Sequence, residues 1–224
     1  MGTDIILKAS DGHELSAYLC EPNTDQKGAI VVIQEIFGVN DHIRDITERF
    51  AFLGYKSIAP ALYDRYENKF EVGYTEEDLE RGRNLKSTAN QNIEGIISDL
   101  SATKKAVESA GSVGITGFCW GGFVAWLGAC RLNFQAASCY YGGGIVDFIE
   151  ETPKCPAILH FGSQDKSIPM VDVEKISSAQ SQSKVYVYEA DHGFHCNMRS
   201  QFDPRASSVS AMRTIRLFDK YLAR

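Results

Sequence analysis

The 224-residue chain lacks several things that large classes of protein require. It has no excess of basic residues: 23 Lys and Arg stand against 29 Asp and Glu, a formal net charge of −6. An acidic chain lacks the broad positive field that nucleic acid or an anionic membrane needs, so neither is expected as a partner. No apolar run approaches the roughly 18 residues of a membrane span. The segment Met1-Gly2-Thr3-Asp4 has no basic start followed by an apolar stretch, so no secretory signal is expected. There is no internal repeat, no Pro/Gly/Ser-rich linker and no Gly-x-x-x-x-Gly-Lys-Ser/Thr phosphate loop. The six cysteines (Cys20, Cys119, Cys130, Cys139, Cys155 and Cys196) contain no Cys-x-x-Cys pair. Scattered cysteines in a chain this large predict free thiols, mostly buried as small hydrophobes, in a reducing cytoplasm.

What remains is ordinary globular material. With 44% hydrophobic and 23% charged residues the chain has enough apolar surface to fold, which excludes disorder. The length fits one domain over residues 1–224, as a monomer or small homo-oligomer. Short β-branched runs alternate with longer helical patterns. Strands are predicted at 4–8, 14–20, 29–33, 55–59, 113–117, 135–141, 156–161 and 184–188. Helices are predicted at 41–53, twice within 75–110, at 119–130, near 171–182 and at 204–222, the last from the spacing of Met212, Ile215, Phe218 and Leu222. Thr75 followed by Asp78 is an N-terminal capping signal. Strand–helix alternation of this kind predicts an α/β fold with a mostly parallel sheet covered on both faces. In such sheets chemistry belongs in the loops beyond the carboxyl ends of the strands.

One of those loops carries a specific pattern. Gly117-Phe118-Cys119-Trp120-Gly121-Gly122 leaves a predicted strand and opens a predicted helix, which is the Gly-x-nucleophile-x-Gly elbow with cysteine as nucleophile. The glycines at −2 and +2 let strand and helix approach closely around a strained nucleophile, and the helix N-terminus favours negative charge there. A cysteine nucleophile needs a base, and the base an orienter. Asp165 follows one later strand and His192 follows the next, in the order nucleophile, acid, histidine. Asp191 is the competing acid, and Asp172 falls inside a helix. His192, His195 and Cys196 also form a His-x-x-His-Cys cluster, but no second cluster completes a zinc set, so no metal and no cofactor are assigned. His160 reads as a satisfied core histidine; His13 and His42 read as surface residues. Glu35 stands out as a carboxylate just beyond an apolar run.

These residues resemble the dienelactone hydrolase family of the α/β-hydrolase superfamily. The matching segments are Gln34-Glu35-Ile36-Phe37-Gly38, Gly117 to Gly122, Tyr140-Tyr141-Gly142, Gly162-Ser163-Gln164-Asp165 and Asp191-His192-Gly193-Phe194. The resemblance implies an α/β-hydrolase fold in which Cys119 is the nucleophile, His192 the base and Asp165 its orienter. It also implies that Glu35 contacts the resting cysteine and helps form the thiolate, and that the Ile36 and Trp120 backbone N–H groups make the oxyanion hole. Family members that cleave dienelactones hold the substrate carboxylate with two arginines. Arg81, with Arg83 as its alternative, stands where the first is expected. The second position, four residues after the histidine, is Cys196, which leaves half the clamp missing unless Arg199 replaces it. Phe37, Trp120, Tyr141 and Phe194 suggest a more apolar ester or lactone, with Phe37 and Tyr141 lining its site. The expected activity is hydrolysis of small esters or lactones through a covalent thioester. The alternatives are attack of the same triad on an activated phosphotriester, a redox-sensing thiol without hydrolysis, or a binding module without chemistry. The length leaves little room for a lid domain, so short loops are expected to shape the pocket.

Overall fold

The structure is a computed structural model that describes residues 2–223. Its elements follow one another as β1 (Thr3–Lys8), β2 (Glu14–Cys20), β3 (Gly28–Ile33), α1 (Asp41–Phe52), β4 (Tyr55–Pro60), α2 (Glu76–Asn90), α3 (Ile93–Val107) and β5 (Val113–Phe118). The second half continues with α4 (Trp120–Arg131), β6 (Ala136–Tyr140), β7 (Ala157–Gly162), α5 (Met170–Ala179), β8 (Lys184–Tyr188) and α6 (Pro204–Tyr221). The strands form one sheet in the order β1-β2-β4-β3-β5-β6-β7-β8. β1 and β2 run antiparallel to their neighbours, and every pairing from β4 to β8 is parallel. This is the α/β-hydrolase fold, and the predicted strands and helices are all present within a few residues of their expected ends.

The burial explains the strand sequences. β3, β5, β6 and β7 are buried at every residue, so they read as continuous apolar runs rather than alternating ones. The chain leaves β3 toward β4 on one side and later returns to β5 on the other. The loops after β3 and β5 therefore diverge at a switch point, where a crevice opens at the carboxyl ends of the strands. The register pairs Ile33 with Gly117, which sets Gln34 and Glu35 beside Phe118 and Cys119.

Helix ends follow local chemistry. Thr75 and Asp78 form a reciprocal capping box at the start of α2. The 75–110 stretch divides at Gln91-Asn92, because the Asn92 side chain accepts from Gly95 N–H at 3.0 Å and starts α3. On α6 the buried face is Ala206, Ser210, Thr214 and Phe218, whereas Met212 is 44% exposed and lies off it. Phe218 and Leu222 are buried as expected.

His42 departs from its expected surface position. It lies on the buried face of α1 with Ile43, Ile46, Thr47, Phe50 and Ala51, is 1% exposed, and packs edge-on to Phe118. The face of α1 that covers the sheet is wide enough to include position 42, one residue before its first aliphatic side chain. His13 is also held inward, with Nδ1 at 3.0 Å from Asp99 Oδ1 beneath the Arg65 guanidinium. No helix of the described residues is long and apolar enough to cross a membrane.

Candidate active site

The turn between β5 and α4 is built by glycine. Cys119 adopts φ 56° and ψ −119°, left-handed space that is costly for a side-chain-bearing residue. Its backbone is pinned on both sides: its N–H donates to Tyr140 O at 3.0 Å, and its carbonyl accepts from Gly122 N–H at 3.0 Å. A Cβ on Gly117 would meet Gly121 O at 2.0 Å, and one on Gly121 would meet Gln34 O at 2.3 Å. The two glycines thus allow the first turn of α4 to press against the end of β3. That contact brings Trp120 N–H, which has no preceding helical carbonyl, to the same end of the sheet as the Glu35–Ile36 segment.

Two loops converge on this turn. The loop after β8 presents His192, whose Nε2 lies 3.1 Å from Cys119 Sγ. The loop after β7 presents Asp165, whose Oδ2 lies 2.6 Å from His192 Nδ1. Asp165 is fixed in turn, because its Oδ1 accepts from Ser167 N–H at 2.8 Å and Ile168 N–H at 3.1 Å. Burial disfavours the imidazolium form of His192, but the Cys119 sulfur and the Asp165 carboxylate beside it prevail and push the ring up to about 10. Asp191 accepts from the backbone N–H of His192 at 2.6 Å and makes no contact with the ring nitrogens.

Glu35 lies beneath this line. It is 1% exposed, neither carboxylate oxygen has a hydrogen-bond partner among the described residues, and burial raises its carboxyl above the usual range against the opposing pull of Arg199 and His192. Arg199 Nη1 stands 3.8 Å from Glu35 Oε1, and its guanidinium lies over the Phe37 ring at 5.5 Å. Gly193 (φ 82°) makes room for it, since a Cβ there would meet Arg199 Nη1 at 2.6 Å. Arg199 also lines the cavity above the cysteine, and Cys196 does not.

Above the reacting groups is a cavity of about 590 Å³. Ile36, Phe37, Trp120 and Tyr141 line it together with Cys119 and His192. Four cations also line it (Arg83, Lys86, Lys166 and Arg199) against two carboxylates, Asp147 and Asp191. The expectation for Arg81 is corrected here. Its guanidinium points away, paired with Glu67 at 2.8 Å and lying over Phe70 at 5.2 Å. Leu79, Arg83, Lys86 and Asn90 share the cavity-facing side of α2 at helical spacing, and Arg81 lies off that face. That spacing was the available signal for Arg83 over Arg81. The cavity is thus walled partly by a helix, not by short loops alone. Lys86 and Lys166 are lining cations that sequence reasoning missed.

The His-x-x-His-Cys cluster is dispersed. His192 faces Cys119, whereas His195 turns to Ser207 with Nδ1 at 2.9 Å and stacks on Phe118. Cys196 Sγ donates to the Tyr74 hydroxyl at 3.3 Å. His160 is the satisfied core residue expected, between the Tyr188 hydroxyl at 2.8 Å and Thr214 Oγ1 at 3.3 Å. All six cysteines are free.

Comparison with known proteins bears on this arrangement. A Synechocystis protein described as a candidate carboxymethylenebutenolidase is 38% identical over 98% of this chain and 97% of its own length. The carboxymethylenebutenolidase of Pseudomonas putida is 29% identical over 94% of this chain and 93% of its own. The crystal structure of a candidate dienelactone hydrolase from Klebsiella pneumoniae superposes with a TM-score of 0.81 at 28% identity, covering 98% of this chain and all of that one. The model of the dienelactone hydrolase family matches residues 15–222. With a match over nearly its whole length, the chain belongs to the dienelactone hydrolase family.

Proposed function

We propose that the protein hydrolyses small carboxylic esters or lactones through a thioester on Cys119, and that it favours substrates carrying an anionic group. The observation that carries the first part is the hydrogen-bonded line from Cys119 Sγ through His192 to Asp165, at 3.1 and 2.6 Å. The four cations around the cavity support the second, in a chain whose net charge is negative. Relatives named for carboxymethylenebutenolidase activity support the ester or lactone class of substrate.

In this reading the proton of the Cys119 thiol already resides on His192 Nε2 when Sγ attacks the carbonyl carbon. Negative charge develops on the carbonyl oxygen, which the Ile36 and Trp120 N–H groups receive; one such donor typically lowers the barrier by about 3 kcal/mol. Collapse breaks the C–O bond, and His192 gives its proton to the leaving alkoxide. Water then adds to the thioester with His192 taking its proton, and the carboxylate leaves as the thiol is restored. Asp165 holds the ring in the orientation this needs. An anionic substrate that draws the Arg199 guanidinium toward itself releases Glu35 from that pairing, which leaves the Glu35 carboxyl available to the cysteine.

The test is turnover by Cys119→Ala, which should fall to background with the fold retained. Ester pairs with and without a carboxylate, assayed beside an aryl dialkyl phosphate, define the class. A preference for the neutral ester, or faster turnover of the phosphate, overturns the substrate assignment.

A further inference from the structure

Glu35, His42 and Cys196 belong to three separate segments: the loop after β3, the first turn of α1 and the loop after β8. The fold brings them together. A carboxylate oxygen, an imidazole nitrogen and the thiol sulfur all lie within 4.8 Å of one another. All three residues are buried, at 1%, 1% and 0% exposure. Both oxygens of Glu35 and both ring nitrogens of His42 lack any hydrogen-bond partner among the described residues. Buried polar groups are nearly always paired, and each orphan costs on the order of 1–3 kcal/mol. Four such atoms on two side chains that meet beside a buried thiol are a concentration of unsatisfied polarity that a bound ion would relieve.

The donor set identifies the occupant. One oxygen, one nitrogen and one sulfur suit a borderline-soft divalent ion, whereas magnesium and calcium take oxygen ligands. Ligands held 2.0–2.3 Å from a tetrahedral ion lie about 3.5 Å apart, so closing onto an ion asks for shifts of about an ångström. The Tyr74 hydroxyl, already bonded to Cys196 Sγ, is placed to orient that ligand.

We propose that Glu35, His42 and Cys196 bind one divalent cation of the zinc class, with water completing its coordination, and that the bound ion slows ester hydrolysis by engaging Glu35. On binding, the Cys196 thiol proton passes to solvent, and the Cys196 thiolate and the Glu35 carboxylate face the ion's two positive charges. The inhibitory part rests on the hydrolase reading; the binding part does not.

Cobalt(II) is the probe, because it substitutes for zinc and a thiolate ligand gives it a charge-transfer absorption. The full-length wild type should take up one cobalt per chain and show that band. Cys119→Ser should retain it, Cys196→Ser should lose it, and His42→Phe should bind at least tenfold more weakly. Circular dichroism checks the fold of each variant, and Cys196→Ser decides the matter should His42→Phe not fold. A wild type without the band, a band kept by Cys196→Ser, or one lost in Cys119→Ser each overturns the binding site. Zinc should inhibit p-nitrophenyl acetate turnover by the wild type and spare His42→Phe, whose metal-free turnover should match the wild type. Equal inhibition of both overturns the regulatory part. Absence of any metal-free turnover refutes the hydrolase reading while leaving the cobalt result to stand on its own.

Discussion

Replacing Asp165 by asparagine isolates the orienting role of one carboxylate. In the wild type Oδ1 accepts the Ser167 and Ile168 N–H groups, and Oδ2 faces His192 Nδ1 at 2.6 Å. Asparagine keeps the first two bonds only with its oxygen at the Oδ1 position, which turns its NH2 toward Nδ1. An N–H facing Nδ1 forces the other tautomer and points the ring proton at Cys119 Sγ. The ring is then a neutral imidazole that can no longer take the proton from Sγ, and the Asp165 charge that helps hold His192 doubly protonated is gone. A comparable tautomer reversal in a serine triad lowers kcat by on the order of 10⁴, which is about 5 kcal/mol in the barrier. Asp191→Asn should cost less than about tenfold, because Asp191 bonds only the backbone N–H of His192 and not its ring. The assay is kcat/KM for p-nitrophenyl acetate with circular dichroism as the fold control. Equal losses in the two variants, or a larger loss from Asp191→Asn, would refute the assignment of the orienter.

Two further predictions concern the fold. Gly121→Ala places a Cβ at 2.3 Å from Gln34 O, a backbone atom that cannot swing away, so the β3–α4 contact must open. Urea unfolding should show a loss of at least about 2 kcal/mol at unchanged m, together with reduced turnover; unchanged values of both contradict the close-approach account. Burial holds His160 well below the ordinary value of about 6.5, so the ring is neutral in the fold and takes up a proton only on unfolding. Its contribution to stability is therefore present above about pH 6.5 and is lost as pH falls, by up to about 1.4 kcal/mol per pH unit. Buried His42 and His195 are shifted the same way and add slopes of the same sign, so urea melts between pH 7 and 5 should show a slope that His160→Gln reduces by its share; parallel slopes in the two proteins would show that His160 does not contribute to it.

The parts of the site that were legible in the sequence are those set by local backbone chemistry. Cys119 announced itself because only glycines at 117 and 121 permit its turn, and strand and helix patterns flank it. Asp165 and His192 followed from their place after successive strands. Glu35 was visible because a carboxylate is out of place two residues beyond a run buried on both faces. What stayed hidden depends on which surfaces meet. His42 lies at the margin of the apolar stripe of α1, and its burial is decided by Phe118 and His195 from other segments. Arg199 reaches Glu35 only because Gly193, folded against it, has no side chain. Arg81 and Arg83 are two positions apart, and the docking of α2 determines which of them faces the cavity. The meeting of Glu35, His42 and Cys196 has no motif signal, since it joins the loop after β3 and the first turn of α1 to the distant loop after β8.

The covalent intermediate on Cys119 is the step on which the account depends. Wild-type protein mixed with p-nitrophenyl acetate and quenched in acid should carry one acetyl group on the peptide that contains Cys119. Cys119→Ala should carry none and turn over no ester. An acetyl group on another residue, or turnover by Cys119→Ala equal to the wild type, would contradict the assignment of Cys119 as nucleophile.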